Sequence, residues 1–328
     1  MMTHLIQFRV CDFFQVTKII GEGSFGQVYG AFHVLTGAEV AIKVEMPPEN
    51  GAHAILPYEA AVYKHLHGHA GIPSILWNGM DGGAHVMIME RLGANLEQLR
   101  RFCRGQLSLK TVCMLAEQMI TRIEFAHSRG VIIRDVKPEH FAMGMGPHSN
   151  LVFLFDLGLA KMIFDPSTSA HIPRRDGREG FGTPRYVSAN VHLGIEQSRR
   201  DDIYALGHTL LYLFHGKLPW QGIYAPSVPD KLSLIGKMKA GEALSELISR
   251  SPPEFMAYFN HCRALKFDEL PDYKMLRGVF RERMKREDWT YDWKYDWLTP
   301  SELEKRTLLP EEYKFDEQYT KDDLMTFL

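Results

Sequence analysis

Apolar and polar residues follow a strand rhythm through the first part of this 328-residue chain. From Phe13 the run F-F-Q-V-T-K-I-I alternates loosely and is rich in β-branched residues, which is typical of a strand. A similar rhythm returns in Q-V-Y-G-A-F (27–32), A-E-V-A-I-K-V-E (38–45) and V-M-I-M-E (86–90). These runs predict a small β-rich region.

Beyond residue 90 the pattern becomes mainly helical. Gly130 is placed to end one helix, whose apolar residues recur at helical spacing: Val112, Leu115, Met119, Ile123 and Ala126. Residues 200–214 form a second apolar helix opened by acidic residues, which suit a helix N-terminus. One more strand is predicted over 151–156, so the fold class is α+β.

Gly21, Gly23 and Gly26 form a turn that lacks side chains where phosphate oxygens would approach. The same spacing occurs in dinucleotide-binding proteins, but that motif needs a helix immediately afterwards, and here a strand follows. A glycine-rich hairpin without a ligand is the other alternative.

Lys43 lies within an apolar strand, where an unpaired ammonium would be costly. It therefore needs an anionic partner, unless it is a lysine that extends its charge to solvent from an edge strand.

The run V-I-I-R-D-V-K-P-E-H-F (131–141) holds a charged segment between apolar anchors. Asp135 can orient a hydroxyl group, and Lys137 can neutralise charge on a transferring phosphoryl group, provided that phosphate-holding residues exist elsewhere. The glycine turn and Lys43 upstream, with D-L-G (156–158) downstream, meet that condition.

In this order the motifs match the signature set of protein kinases. The sequence between these motifs resembles the casein kinase I family over about residues 13–298. Examples are L-S-L-K-T-V (107–112), H-L-G-I-E-Q-S-R-R-D-D (192–202) and L-P-W-Q-G (218–222). The resemblance implies a bilobal kinase domain over 13–298, with a small β-rich N-lobe (about 13–90) and a larger, mostly helical C-lobe (about 93–298). Residues 1–12 are then a lead-in, and residues 299–328 a short polar tail.

The resemblance also implies the roles of individual residues. Asp135 and Lys137 would serve catalysis, while Lys43 paired with Glu59 would hold the α and β phosphates of ATP, and Asp156 would carry Mg²⁺. The implied nucleotide contacts are Ile20, Gly21, Glu22, Gly23, Ser24, Phe25, Gly26, Val28, Ala41, Lys43, Met89, Glu90, Leu92 and Asp156.

Several positions depart from the family pattern. His140 replaces the asparagine that binds a second metal ion, and imidazole suits Mg²⁺ poorly, so we expect weakened metal binding and greater tolerance of Mn²⁺. Ile133 replaces a histidine. Ala142 replaces a leucine under the adenine, and we expect Phe155 to fill the vacated volume.

The family binds acidic or already phosphorylated protein substrates, and Arg178, Arg185 and Lys231 match its anion site. Residues 223–230 carry less positive charge than the family's basic run, so we expect weaker anion recognition. Thr183 together with Lys137 indicates serine and threonine as acceptors.

Two functional hypotheses remain open: an active Ser/Thr kinase, or a pseudokinase that acts as a scaffold, for which His140 is the evidence. Asp202 matches the kinase aspartate that holds the catalytic loop, although an N-terminal cap is an alternative role. His65, His67 and His69 alternate, but no fourth metal ligand lies near in sequence.

Composition sets the wider expectations. With 38 basic and 40 acidic residues, nothing in the net charge indicates nucleic acid or a membrane surface. The longest apolar run is too short to cross a bilayer, and four scattered cysteines predict reduced thiols. We therefore expect a monomeric protein of the cytoplasm or nucleus.

Overall fold

The computed structural model describes residues 9–23, 26–48, 53–165, 167–168, 170–177, 181–299 and 301–302. The described chain divides into two compact units. The first comprises the residues up to Gly93 together with Ala142–Gly158, and the second comprises Ala94–Phe141 and the residues from Leu159 onward.

An antiparallel sheet dominates the first unit, with the strand order β1-β2-β3-β4-β6-β5. Its strands are β1 (Arg9–Val10), β2 (Phe14–Gly23), β3 (Gly26–His33), β4 (Glu39–Glu45), β5 (Ile75–Asp81) and β6 (Ala84–Glu90). The four predicted N-terminal strands are thus confirmed. Alternate apolar residues of β2, β3, β4 and β6, among them Val16, Ala31, Ile42 and Val86, bury one shared core.

Helix α1 (Leu56–His65) packs against β5 and β6. Its N-terminus is satisfied from the sheet, because Glu45 at the end of β4 accepts hydrogen bonds from the backbone N–H groups of Ile55 (3.1 Å) and Leu56 (2.6 Å). Two short paired strands, β8 (Phe141–Met143) and β9 (Val152–Leu154), follow later in the chain, and β9 confirms the strand predicted near residue 151.

The second unit is mostly helical. Its long helix α3 (Leu109–Ser128) packs against α5 and α9, and α5 also packs against α8. The other elements are α2 (Leu96–Phe102), β7 (Val131–Ile132), β10 (Lys161–Met162), α4 (Ala189–His192), α5 (Arg199–His215), α6 (Val228–Ala240), α7 (Glu242–Ser249), α8 (Pro253–Ala264) and α9 (Tyr273–Arg286).

Both helices predicted from apolar spacing are confirmed, as α3 and α5. Gly130 lies just after α3 with a left-handed φ of 74°, a conformation that glycine adopts without strain. Of the helices that the structure describes, none is long and apolar enough to cross a membrane.

Candidate active site

Lys43, Glu59 and Asp156 meet within the first unit. The Nζ atom of Lys43 donates to Glu59 Oε2 at 2.7 Å and to Asp156 Oδ1 at 3.1 Å. Strand β4 lies between β3 and β6, and the Lys43 side chain is only 12% exposed. This arrangement excludes the alternative of a solvent-directed lysine on an edge strand and supplies the anionic partner that burial requires.

Opposing effects set the charge of this cluster. Burial lowers the pKa of Lys43, but the carboxylates of Glu59 and Asp156 outweigh it, so the net pKa is raised and the lysine remains cationic. Burial raises the pKa of Glu59, and the neighbouring ammonium opposes that rise. A fixed cation is thereby held beside the carboxylate of Asp156.

The backbone around Asp156 is fixed by two residues of α1. Asp156 has a left-handed φ of 61°, and its N–H donates to the Tyr63 hydroxyl oxygen at 2.9 Å. The N–H of Leu157 donates to Glu59 Oε1 at 3.3 Å. Glu59 therefore positions Lys43 with one oxygen and the D-L-G turn with the other.

The glycine turn is a hairpin between β2 and β3. Gly21 pairs with Val28, Glu22 with Gln27, and Gly23 with Gly26. A strand follows the turn, as predicted, which excludes the dinucleotide-binding arrangement. A Cβ atom at Gly26 would lie 2.0 Å from the carbonyl oxygen of Val44, so only glycine fits there. The predicted contacts Ser24 and Phe25 lie outside the described residues.

Several of the implied nucleotide contacts lie together in the same unit. Ala41 on β4 pairs with Met89 on β6, and both are buried, as is Leu92. Ile20 and Val28 are half-buried.

Glu90, one of the implied nucleotide contacts, is tied to the chain before β5. Its N–H donates to the Ser74 carbonyl oxygen at 3.0 Å, and its Oε2 accepts from the Ser74 N–H at 3.3 Å. Leu92 belongs to a buried cluster that contains Ala142. Phe155 packs against that cluster, in agreement with the prediction that its ring compensates for the small alanine.

A second group of side chains surrounds Asp135 in the helical unit. Lys137 Nζ donates to Asp135 Oδ2 at 2.7 Å. Thr183 donates to Asp135 Oδ1 through both its backbone N–H and its hydroxyl, each at 2.7 Å. The Asp135 side chain is buried, with 7% of its surface exposed. Asp135, Lys137 and Thr183 are thus brought together as one hydrogen-bonded group.

Asp202 holds the backbone that precedes Asp135. Its Oδ2 accepts from the N–H of Ile133 at 2.7 Å, and its Oδ1 accepts from that of Arg134 at 2.8 Å. The neighbouring residue Asp201 caps α5 instead, because its Oδ2 accepts from the Ser198 N–H at 2.9 Å. The structure therefore assigns the loop-holding role to Asp202 and the capping role to Asp201.

Two backbone positions with positive φ, Arg134 and Gly182, meet beside Asp135. Arg134 has a left-handed φ of 67°, which is uncommon outside glycine, and its Nε donates to the Leu159 carbonyl oxygen at 2.6 Å. A Cβ atom at Gly182 would lie 2.4 Å from the Arg134 carbonyl oxygen. Glycine at 182 thus lets the chain pass close enough for Thr183 to bond Asp135.

His140 is turned toward its own loop. Its Nδ1 lies 3.0 Å from the Asp135 carbonyl oxygen, and because a carbonyl only accepts, that nitrogen carries a proton. In a neutral imidazole with its proton on Nδ1, only Nε2 could bind a metal ion. By contrast, the Asp156 side chain is 34% exposed and presents an oxygen of the kind that Mg²⁺ prefers.

The residues present fit a metal ion that is bound jointly with phosphates. Across the described ranges, no group of three or more His, Cys, Asp or Glu side chains is placed to hold a metal ion. This includes the alternating histidines, of which His65 ends α1. Mg²⁺ usually keeps water and phosphate oxygens among its ligands, so one protein carboxylate suffices to anchor it.

The predicted anion-site residues are only partly described. Arg185 lies against two aromatic rings, those of Tyr186 and Tyr212, at 5.6 and 5.4 Å from the ring centroids. Lys231 is exposed on α6. Arg178 lies outside the described residues.

Sequence reasoning missed two sets of supporting residues. Tyr63 follows Glu59 by four positions on α1, and that helical spacing was a usable signal that both face the same side. His127 on α3 contacts Asp202 Oδ2 through Nε2 at 2.8 Å and the Tyr273 hydroxyl through Nδ1 at 2.6 Å. No local pattern indicates that second set, because its members come from three different helices.

Comparison with known families gives one finding. The family model described as "Protein kinase domain" matches residues 14–255, more than half of the chain. Together with the antiparallel sheet and the helical unit, this match establishes a bilobal α+β kinase fold.

Proposed function

The chain belongs to the protein kinase domain family, and from this membership we propose that it is an active ATP-dependent serine/threonine kinase similar to casein kinase I. The observation that carries the proposal is the hydrogen-bonded group of Asp135, Lys137 and Thr183. A carboxylate held by a lysine and a threonine is suited to activating a hydroxyl group. Protein kinase domains act on protein substrates, and this proposal specifies their acceptor residues.

Nucleotide binding is assigned to the first unit. Lys43 would bind the α and β phosphates, Asp156 would bind the metal ion, and the Gly21–Gly26 hairpin would cover the phosphates with its backbone. Bound ATP supplies the phosphoryl group, and Mg²⁺ neutralises the charge that develops on it. Glu59 keeps Lys43 and the Asp156 turn in place before the nucleotide arrives, which reduces the reorganisation that binding requires.

Hydroxyl activation is assigned to Asp135. A carboxylate offers about four acceptor positions, and three of them are taken by Lys137 Nζ, Thr183 N–H and the Thr183 hydroxyl. The remaining position can accept the proton of a substrate serine or threonine. Lys137 holds the carboxylate in orientation and supplies positive charge for the transferring group.

We assign acidic or already phosphorylated segments as the preferred substrates, with Arg178, Arg185 and Lys231 as the recognising cations. Guanidinium groups bind phosphate in a fixed geometry. Charge reversal by Arg185→Glu and Lys231→Glu is expected to abolish the preference for a phosphorylated peptide over its unphosphorylated form. An unchanged ratio of kcat/KM for the two peptides would contradict this assignment.

The second candidate is a pseudokinase, and His140 favours it. With Nδ1 bonded to the Asp135 carbonyl oxygen, residue 140 could bind a second metal ion only through an imidazole nitrogen, whereas Mg²⁺ prefers the oxygen that the asparagine of the family offers. The active-kinase proposal therefore carries a consequence: His140→Asn should raise the transfer rate in Mg²⁺ and narrow the difference between Mg²⁺ and Mn²⁺. No change in either quantity would remove the weakened-metal argument.

The decisive experiment measures transfer of labelled phosphate from ATP to an acidic and to a pre-phosphorylated protein, with Mg²⁺ and with Mn²⁺. Asp135→Asn is the matched control, because it keeps the shape of the side chain and removes the base. Transfer by the natural sequence that is lost in this variant supports the kinase. Binding of ATP without transfer under either metal ion supports the pseudokinase.

A further inference from the structure

Four consecutive backbone carbonyls next to Thr183 are each bonded by a buried side chain. The carbonyl oxygens of Pro184 and Val187 both accept from Lys239 Nζ, at 2.7 and 2.6 Å. The Arg185 carbonyl oxygen accepts from Trp220 Nε1 at 2.8 Å. The Tyr186 carbonyl oxygen accepts from His208 Nδ1 at 2.7 Å.

Lys239 is unusual among these donors because it is buried without a counter-ion. It retains 4% exposure, and none of the described carboxylates pairs with it. Lysine is rarely buried unless its polar atoms are satisfied. Here they are: two N–H groups reach carbonyls, and Nζ also lies 3.2 Å from His192 Nε2.

The packing of α6 against α4 gives the lysine access to these carbonyls. A Cβ atom at Gly236 would lie 2.7 Å from the Cβ of His192, so glycine permits the close approach of α6 to the end of α4. The helix is thereby fixed at a distance from which a lysine side chain spans to residues 184 and 187.

We infer that Lys239 is a positioning residue for the hydroxyl-activating group, acting on Asp135 through Thr183. The inference rests on the proposed kinase function. The Thr183 carbonyl oxygen accepts from the N–H groups of Tyr186 and Val187, at 2.9 and 3.2 Å, so residues 183–187 form one tight turn. Lys239 holds both ends of that turn, and Thr183 at its start bonds Asp135 Oδ1.

A lysine suits this position because its side chain is long enough to span from α6 to the turn and its ammonium group can donate to two carbonyl oxygens at once. Pro184 and Val187 present carbonyl oxygens that would otherwise be buried without partners, and such oxygens favour rearrangement of the backbone. A displacement of about 1 Å at a catalytic centre can reduce the rate by about a hundredfold. Loss of the amine should therefore reduce kcat more than it changes KM for ATP.

The test compares Lys239→Met with Ile235→Ala, a matched control on the same helix that removes buried apolar contacts and no hydrogen bond to the turn. Amide hydrogen exchange over residues 181–188 reports directly on the Thr183 N–H bond to Asp135. Steady-state kinetics supply kcat and KM, and a double-mutant cycle with Thr183→Ala shows whether the two residues act together.

We expect faster exchange over 181–188 in Lys239→Met, with kcat about ten- to a hundredfold lower and KM for ATP within twofold of the natural sequence. Thr183→Ala removes the hydroxyl bond to Asp135 and keeps the backbone N–H bond, so in this background the lysine substitution should lower kcat by a smaller factor than in the natural sequence. Ile235→Ala should change neither the exchange of this segment nor kcat.

Unchanged exchange over 181–188 in Lys239→Met would overturn the inference. So would independent effects, in which the fold-loss of kcat in the double variant equals the product of the losses in Lys239→Met and Thr183→Ala. Should Lys239→Met not fold, Lys239→Gln replaces it, because glutamine removes the ammonium and keeps an NH₂ donor, and the same two readings decide. If the natural sequence transfers no phosphate, the proposed function fails, whereas the exchange comparison still decides the positioning role.

Discussion

Replacement of Asp202 by asparagine is the sharpest test of how the catalytic loop is held. Both oxygens of this carboxylate are used: Oδ1 by the N–H of Arg134, and Oδ2 by the N–H of Ile133 and by His127 Nε2. An asparagine offers one oxygen and one NH₂ group. Whichever way it turns, the NH₂ group faces a donor, so at least one buried backbone N–H loses its partner.

The expected magnitude follows from these contacts. A buried donor left without a partner costs about 1–3 kcal/mol, and hydrogen bonds to a charged group contribute about 1.5–3 kcal/mol against about 0.5–1.5 for neutral ones. Asp202→Asn should therefore lower the free energy of unfolding by about 3–5 kcal/mol. Domains are stabilised by about 5–15 kcal/mol, so the variant should still fold at moderate temperature.

Urea unfolding measures the loss, and amide exchange over residues 131–137 locates it. Asp201→Asn is the matched control, since Asp201 is equally buried on α5 but accepts from Ser188, Asn190 and Ser198. Both variants should lose stability, whereas only Asp202→Asn should speed exchange at Ile133 and Arg134. A loss below about 0.5 kcal/mol, or equal exchange in both variants, would refute this reasoning.

Two further outcomes are expected. Gly26→Ala should lower the free energy of unfolding, measured with urea, by about 2–5 kcal/mol, because contact of the new Cβ atom with the Val44 carbonyl adds to backbone strain. Gly37 is the control: it also has positive φ, but a Cβ atom there would have nothing within 4 Å, so Gly37→Ala should cost only about 1–2 kcal/mol. Burial lowers the pKa of His208 to about 3, so below pH 6.5 only the unfolded state takes up this proton and stability falls with pH. Relative to a pH well above 6.5, the free energy of unfolding at pH 5 should be lower by about 2 kcal/mol because of this histidine. Urea unfolding at the two pH values measures the difference, and His208→Asn should lack this contribution.

Local patterns predicted four strands of the first unit and two long helices of the second. Strands β2, β3, β4 and β6 were readable because period-2 alternation depends only on neighbouring residues. The need of Lys43 for an anionic partner was predictable from the free energy of burying an unpaired ammonium. The identity of that partner, Glu59, was indicated by the family resemblance, and the structure shows the pair.

Contacts between distant residues were not predictable in the same way. Asp201 and Asp202 both belong to the first turn of α5. Local pattern alone does not say which of them faces the loop at Ile133, because that depends on how the helix is rotated against its neighbours; only the family resemblance indicated Asp202. Lys239 reaches Pro184 across 55 positions of the chain. A lysine bonded to carbonyls leaves no periodic or charge-pair signal in the sequence.

The buried charges bear on the choice between an active kinase and a scaffold. Replacing a buried ion pair by apolar residues of similar volume is often neutral or stabilising, so stability alone gives no reason to retain Lys43 and Glu59. Glu59 is 1% exposed, and its second oxygen accepts a hydrogen bond from the Leu157 N–H. A scaffold needs only the shape of the fold, whereas a kinase needs a cation and a metal-binding carboxylate held rigidly beside each other. The retention of this arrangement, with Asp135 held as tightly by Lys137 and Thr183, therefore supports phosphate transfer despite His140.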